Sequence, residues 1–347
     1  MRTFIKTTQD ASIYQRYPTR NTGLDEILEV GKLVKSLDGS MMYASGSVRA
    51  LLQFDISTAS AYPTTAEYYL NLHIANAQNV DRYQKIEVYL VSQSWLEGSG
   101  YFYQDVKNAE DGVTWRQSET AVSWSNYGGD FQNTPTSSYT FSAIPIDNNI
   151  RINVTNLVAP VVSGSNTIPW NGLLIKYPTA DETDHTNTGN IKFFSGNTHT
   201  VYEPKLEIVW IDQTFNTGSL KPVKNNSVSI LPRNLKEVYT KGEVDKVYLI
   251  ARDPYPDKRF DETQRYRNQY YLPSGSFFRI RDVVSDVYIQ RFDKYSAISC
   301  DPTGSYFTLD TSGLDINRYY EIDLKIQSSS LVFFPEFNYT FKVDSDE

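Results

Sequence analysis

The run Arg49-Ala50-Leu51-Leu52-Gln53-Phe54-Asp55-Ile56 alternates a core-facing set of side chains with a second set that is only partly polar. That period of two predicts a strand covered on one face and partly covered on the other. Two further runs, Tyr68–Ile74 and Lys85–Val91, follow at the spacing of successive strands. Together they predict consecutive strands of one antiparallel sandwich. Tyr, with 26 copies against 3 Met and 1 Cys, adds to the β bias, since aromatic and β-branched side chains suit a pleated, half-buried surface.

With 347 residues the chain is long enough for two domains. Alternating runs continue at Ile150–Val154, Gly172–Tyr177, Asn190–Phe194 and Lys205–Trp210. Residues 213–227 are small and polar with Pro222, as linkers are. Beyond them Val247–Ala251, Phe277–Arg281, Tyr306–Leu309, Tyr319–Ile326 and Phe337–Val343 alternate again, separated by Pro273-Ser274-Gly275, Pro302-Thr303-Gly304 and Ser312-Gly313. About seven short strands with such turn signals match an immunoglobulin-like sandwich. The expected architecture is all-β: a jelly-roll-like antiparallel sandwich over 1–212, a linker over 213–227, and an immunoglobulin-like sandwich over 228–347.

Net charge is −8, and it is uneven: the first 213 residues carry 22 acidic against 15 basic side chains, while the remainder is nearly balanced. An acidic surface argues against nucleic acid as a partner, because counterion release needs clustered Lys and Arg. No run reaches the apolar length of a membrane span. The opening Met1–Lys6 leads straight into an alternating strand, so export by the general secretory route is not expected. Cys300 has no second cysteine to pair with, which leaves stability to packing.

Candidates for chemistry are few. His73 lies in an alternating strand, as a structural histidine does, and neither His185 nor His199 sits in a nucleophile elbow or a zinc spacing. Asp181, Glu182 and Asp184 crowd one loop beside His185, where they read either as a solvated acidic loop or as ligands of calcium. Asp105, Glu110 and Asp111 form a second such group. Glu97 and Asp111 can be set as a glycosidase acid and base, a reading that needs their separation. No cofactor is expected and the chain is read as a non-enzyme.

Two clusters point to binding instead. Trp95, Tyr101, Tyr103, Trp115 and Trp124 fall in the long irregular stretch 92–131; such rings either cap the open end of a sandwich or form a platform for a host glycan. The basic, aromatic stretch holding Lys258, Arg259, Phe260, Arg265, Tyr266, Arg267, Tyr270 and Tyr271 reads as a charged insertion or as a dock for an acidic surface, Arg and Tyr being common interface anchors.

The order Asp10-Ala11-Ser12-Ile13, Arg49–Asp55, Trp95-Leu96-Glu97-Gly98, Gly112-Val113-Thr114-Trp115 and Pro204–Ile208 resembles the DNRLRE-type β-sandwich. Asn21-Thr22-Gly23 stands where that family has an Asn-Tyr-Gly turn. The stretch Leu272–Val343, with Ser276–Asp282, Gly304–Phe307, Gly313-Leu314-Asp315, Arg318-Tyr319-Tyr320 and Phe341-Lys342-Val343, is similar to an immunoglobulin-like domain of large tailed-phage structural proteins. Those resemblances imply a structural virion protein in the neck, collar, tail or on the capsid, made in the host cytoplasm and contacting other virion proteins and its own copies. A carbohydrate-binding or adhesin module is the alternative they leave open.

Overall fold

A computed structural model describes residues 1–37, 41–103, 111–142, 149–166, 168–184, 188–223, 228–255, 270–328 and 331–345. It is all-β, with 48% strand and 5% helix. The chain divides into two compact units, one of Ile5–Ile208 and the other of Met1–Phe4 together with Val209–Glu347.

The larger unit is built from β1 (Arg2–Tyr14), β2 (Ile27–Leu37), β3 (Met41–Phe54), β4 (Glu67–Gln78), β5 (Lys85–Val91), the small hairpin β6 (Gln117–Glu119) and β7 (Val122–Ser123), β8 (Phe131–Thr140), β9 (Asn149–Asn153), helix α1 (Thr155–Val162), β10 (Leu173–Lys176), helix α2 (Thr179–Thr183), β11 (Asn190–Phe194) and β12 (Lys205–Val209). Strand order is β1-β12-β4-β11-β2-β3-β10-β5-β8, with β9 also on β4 and β1 also on β3. Because β1 pairs at both ends, six strands close on one another and the sheet folds into an antiparallel, jelly-roll-like sandwich. Pro135 and the exposed residues around it lie on β8, at the end of that order, where a missing N–H is tolerated and discourages further pairing.

The sequence run around Leu51 is the middle of this unit. Leu51 pairs with Ala11 on one side and Leu174 on the other, and Ala50, Leu51, Leu52 and Phe54 are all buried. Both faces are therefore covered, more than the alternation implies. The second cover is the 92–131 stretch: Trp95, Val113, Trp115 and Trp124 pack with Ala11, Ile13, Leu51, Tyr89, Val91 and Leu174 into a separate apolar cluster.

The smaller unit contains β13 (Lys221–Pro222), β14 (Ser229–Pro232), β15 (Val238–Thr240), β16 (Val244–Arg252), β17 (Tyr270–Tyr271), β18 (Phe277–Asp282), β19 (Tyr288–Gln290), β20 (Ser299–Asp301), β21 (Gly304–Asp310), β22 (Arg318–Ser328), β23 (Leu331–Phe333) and β24 (Tyr339–Asp344). One sheet runs β13-β17-β16-β21-β20 with β14 on β16; the other runs β15-β24-β22-β18-β19 with β23 on β22. Val247, Leu249, Phe307 and Leu309 of the first share a core with Phe278, Ile280, Ile322, Leu324 and Phe341 of the second. Phe278 and Phe307 stack at 4.5 Å between centroids. β15 runs parallel to β24 while the pairs β16–β21, β18–β22 and β22–β24 are antiparallel, an immunoglobulin-like arrangement.

Two sequence boundaries shift. Residues 209–212 and the first four residues belong with the smaller unit: the Met1 ammonium donates to the Trp210 carbonyl, Asp212 Oδ1 and the Tyr295 carbonyl, and Arg2 pairs with Asp293. The stretch 213–223 is not a free linker. The Cys300 amide donates to the Thr214 carbonyl, the Asn216 amide donates to the Cys300 carbonyl, and β13 pairs with β17. Small polar residues meet a strand edge as readily as apolar ones do, because the bonds are main-chain. Residues 224–227 lie outside the described set.

Candidate functional site

Motifs far apart in the chain converge in the larger unit. Asn21 donates from Nδ2 to the carbonyls of Glu97 (2.6 Å) and Val113 (2.7 Å), while its Oδ1 accepts from the amides of Gly23 (3.1 Å) and Gly100 (2.7 Å). One amide side chain thus ties three loops, using both donor positions and both lone pairs of the carbonyl. Gly98 (φ +81°) and Gly112 (φ +87°) lie backbone to backbone here. A Cβ on Gly98 would strike the Asp111 carbonyl, and one on Gly112 would strike Gly98 itself.

Beside this clamp sit two acids. The Asp10 amide donates to Glu97 Oε1 (2.8 Å), and the Gly196 amide donates to Asp10 Oδ2 (2.6 Å). Burial, opposed by the Gly196 bond and reinforced by Glu97, pushes the Asp10 carboxyl up to about 7. Glu97 is raised too, first by its burial, against bonds from the Asp10 amide and the Asn197 side chain. Glu97 is thus an acceptor within the clamp. Asp111, its proposed glycosidase partner, is exposed and accepts from Ser99 Oγ (2.8 Å).

The clamp leads directly into an aromatic rim that is half-buried except at Tyr101 and Tyr103. Phe102 packs on Tyr14 (4.7 Å) and meets Tyr17 (5.7 Å) and Tyr103 (5.3 Å) edge-on. The Arg20 guanidinium lies 4.4 Å from the Tyr17 ring centre and 4.8 Å from that of Phe102. Asp25 accepts the Phe102 amide and is pushed up to about 6, mainly by its burial. Tyr103 is 90% exposed and Tyr101 40%.

The glycan platform read from the sequence does not survive as a unit. Trp95, Trp115 and Trp124 are only 3%, 7% and 2% exposed. Trp95 Nε1 donates to the Asn171 carbonyl and Trp124 Nε1 to that of Thr114, while Arg49 covers the Trp115 ring at 4.9 Å. These faces are spent on the sandwich, so no sugar can stack on them. Tyr101 and Tyr103 remain open.

Asp181 and Glu182 lie in helix α2 with Asp184 just beyond it, and the first two carboxylates go to different partners. Arg49 grips Glu182 with two bonds of 2.8 Å, Lys176 reaches Glu182 Oε2 at 3.1 Å, and Lys32 donates to the Glu182 carbonyl. Asp181 accepts from Gln84. Among the described residues no group of three His, Cys, Asp or Glu is placed to hold a metal ion, and the Glu182 carboxylate is taken up by Arg49 and Lys176. Burial lowers Lys32 and Lys176, with Glu182 opposing the shift at both.

His73 is buried against Tyr202, His199 is exposed near Glu26, and Cys300 is buried with its thiol raised by that burial. His185, Asp105 and Glu110 lie outside the described residues. So do Lys258, Arg259, Phe260, Arg265, Tyr266 and Arg267 of the basic aromatic stretch. Its last two members, Tyr270 and Tyr271, form β17. Tyr271 helps line an open groove of about 560 Å³ in the smaller unit, with Phe215, Pro222, Pro273 and Gln327.

No protein-family model matches this chain, and no curated protein does either. Among solved structures it is similar to a DUF4785 family protein from Legionella pneumophila, at 8% identity and a TM-score of 0.19, over 99% of this chain and 64% of that one. It is also similar to a β-glucuronidase from Parabacteroides merdae, at 9% identity and a TM-score of 0.22, over 98% of this chain and 35% of that one. The chain thus spans less than two thirds of either.

Among the described residues no helix is long and apolar enough to cross a membrane.

Proposed function

We propose that this protein is a non-catalytic structural component that acts by being gripped between neighbours in a symmetric assembly, as a tailed-phage virion protein of the neck, collar, tail or capsid surface. The observation that carries this reading is the stacked rim in which half-buried Tyr17, Arg20 and Phe102 support the exposed Tyr103. Aromatic and arginine side chains held in place by their own stacking lose little freedom when a partner covers them, which is why they recur as interface anchors. The resemblances of the two halves to DNRLRE-type and tailed-phage immunoglobulin-like domains support the virion assignment. A second exposed set on the smaller unit, Val283, Val284, Tyr288 and Tyr319, gives a repeated copy another surface for the head-to-tail contacts that close rings.

Native mass spectrometry of the chain, followed by localisation in purified particles, tests this. A closed oligomer and symmetric density are expected. A chain that stays monomeric and is missing from particles counts against it. A carbohydrate-binding role is the second reading, now resting on Tyr101 and Tyr103 alone. Binding on a glycan array that disappears in Tyr103→Ala, with the fold intact, would favour it.

A further inference from the structure

Asp10 is the most deeply buried acid of the clamp, at 1% exposure. One of its oxygens accepts the Gly196 amide, and the other, Oδ1, has no hydrogen-bond partner. Each neighbouring element adds a different group. The 92–100 stretch contributes the Glu97 carboxylate, which already accepts the Asp10 amide. The 195–197 turn contributes the Gly196 N–H and the Asn197 side chain, the latter bonded to Glu97. On β3 the residue opposite Asp10 is Leu52, which brings no charge. The charge acting on Asp10 is therefore of its own sign, and no Lys, Arg or His is among the groups that shift it.

We propose that Asp10 is a proton-operated latch: protonated, it closes the clamp that fastens β1 to the 94–100 and 195–197 segments, and its ionisation opens that clamp. An ionised carboxylate with an oxygen buried and unpaired is strongly disfavoured in so dry a place, and a second carboxylate beside it adds to the penalty. Two exits exist, taking up a proton or moving the loops so that water enters. The proton moves between solvent and Asp10 Oδ1, and no other bond forms or breaks. The upward shift of Asp10 places the change within reach of ordinary buffers. The segment released is the one that leads through Gly100, held by Asn21, to the aromatic rim. The latch does not depend on what that rim binds.

Hydrogen exchange of the full-length chain, corrected for the intrinsic pH effect, reads it directly. Amides in 8–12, 94–100 and 195–197 are expected to lose roughly tenfold in protection between about pH 6 and about pH 8.5, while the smaller unit stays unchanged. Asp10→Asn, whose amide imitates the neutral acid, removes the step. A flat wild-type profile, or a step that persists in the variant, overturns the proposal. So does protection at high pH that calcium restores in the wild type and not in the variant, since Asp10 would then be an ionised ligand. Should Asp10→Asn fail to fold, Glu97→Gln decides: losing the facing charge must move the midpoint to lower pH, and an unmoved midpoint refutes the latch.

Discussion

The Tyr320 hydroxyl accepts from the Asp315 amide at 2.8 Å and donates to the Asp315 carbonyl at 3.0 Å. Tyr320 stands near the start of β22 and is fully buried, while Asp315 lies on the turn that leads into the strand. This doubly bonded corner is a hallmark of immunoglobulin-like sandwiches. It also explains why Gly313-Leu314-Asp315 and Arg318-Tyr319-Tyr320 occur together: Leu314 plugs the core while the tyrosine pins the turn behind it.

Replacing Tyr320 by Phe keeps the ring and its packing on Phe341 but leaves the corner without two bonds. Unmade buried bonds cost about 1–3 kcal/mol. The smaller unit should unfold at correspondingly lower urea, with the larger unit's transition unmoved. An unchanged midpoint would mean that water replaces the hydroxyl at no cost.

The tryptophans and the exposed tyrosines of 92–131 should behave oppositely. Trp115→Ala or Trp124→Ala opens a hole in the cover over Leu51 and Leu174, worth about 3–5 kcal/mol of stability. Tyr103→Ala removes an exposed ring and should leave melting within about 0.5 kcal/mol of wild type, while weakening whatever association the rim supports. Melting curves set against sedimentation separate the two classes. If Tyr103→Ala melts as low as the Trp variants, the rim is core rather than interface.

Strands were legible where one residue in two is apolar. Leu51, Val247 and Ile322 sit in cores because alternation leaves their side chains no other face. Burial of the indoles was not legible, since a ring over a core and a ring over a sugar have the same composition. Helices α1 and α2 were missed. Thr155–Val162 carries Pro160 and follows a strand pattern, and Thr179–Thr183 is a single short turn fixed by Glu182's tertiary ion pairs rather than by propensity. The clamp was the least accessible of all. Asn21, Glu97 and Asn197 are polar residues in separate loops, and only the closed sheet brings them together.

Glu182 is the anion that keeps Arg49 and Lys176 tolerable inside the sandwich. Glu182→Gln strips that charge and leaves two cations in poor solvent. Breaking a buried pair from one side costs about 3–5 kcal/mol. The cost should ease as pH rises, because Lys176, already lowered by its burial, can then shed its proton. A melting series from neutral to alkaline pH should show the variant closing on the wild type. A gap that stays constant would mean that the lysine is not the group left stranded.

Asp10 makes a prediction of definite sign for global stability. In the unfolded chain its carboxyl releases its proton near 3.8, whereas in the folded chain it does so at about 7. Between those values the folded state holds more protons, so its stability falls as pH rises, by about 4 kcal/mol across the window. Above about pH 7 both states are ionised and this contribution is flat; below about pH 4 it is fully present. Asp25, shifted up to about 6, acts in the same direction, and Asp282, lowered by its bonds from Arg318 despite its burial, acts in the opposite one. The Asp10 part is isolated by subtracting the Asp10→Asn profile from that of the wild type. The difference should run downhill from about pH 4 to about pH 7 and then level. A difference that rises with pH would show that the carboxylate, rather than the acid, is the form the fold holds.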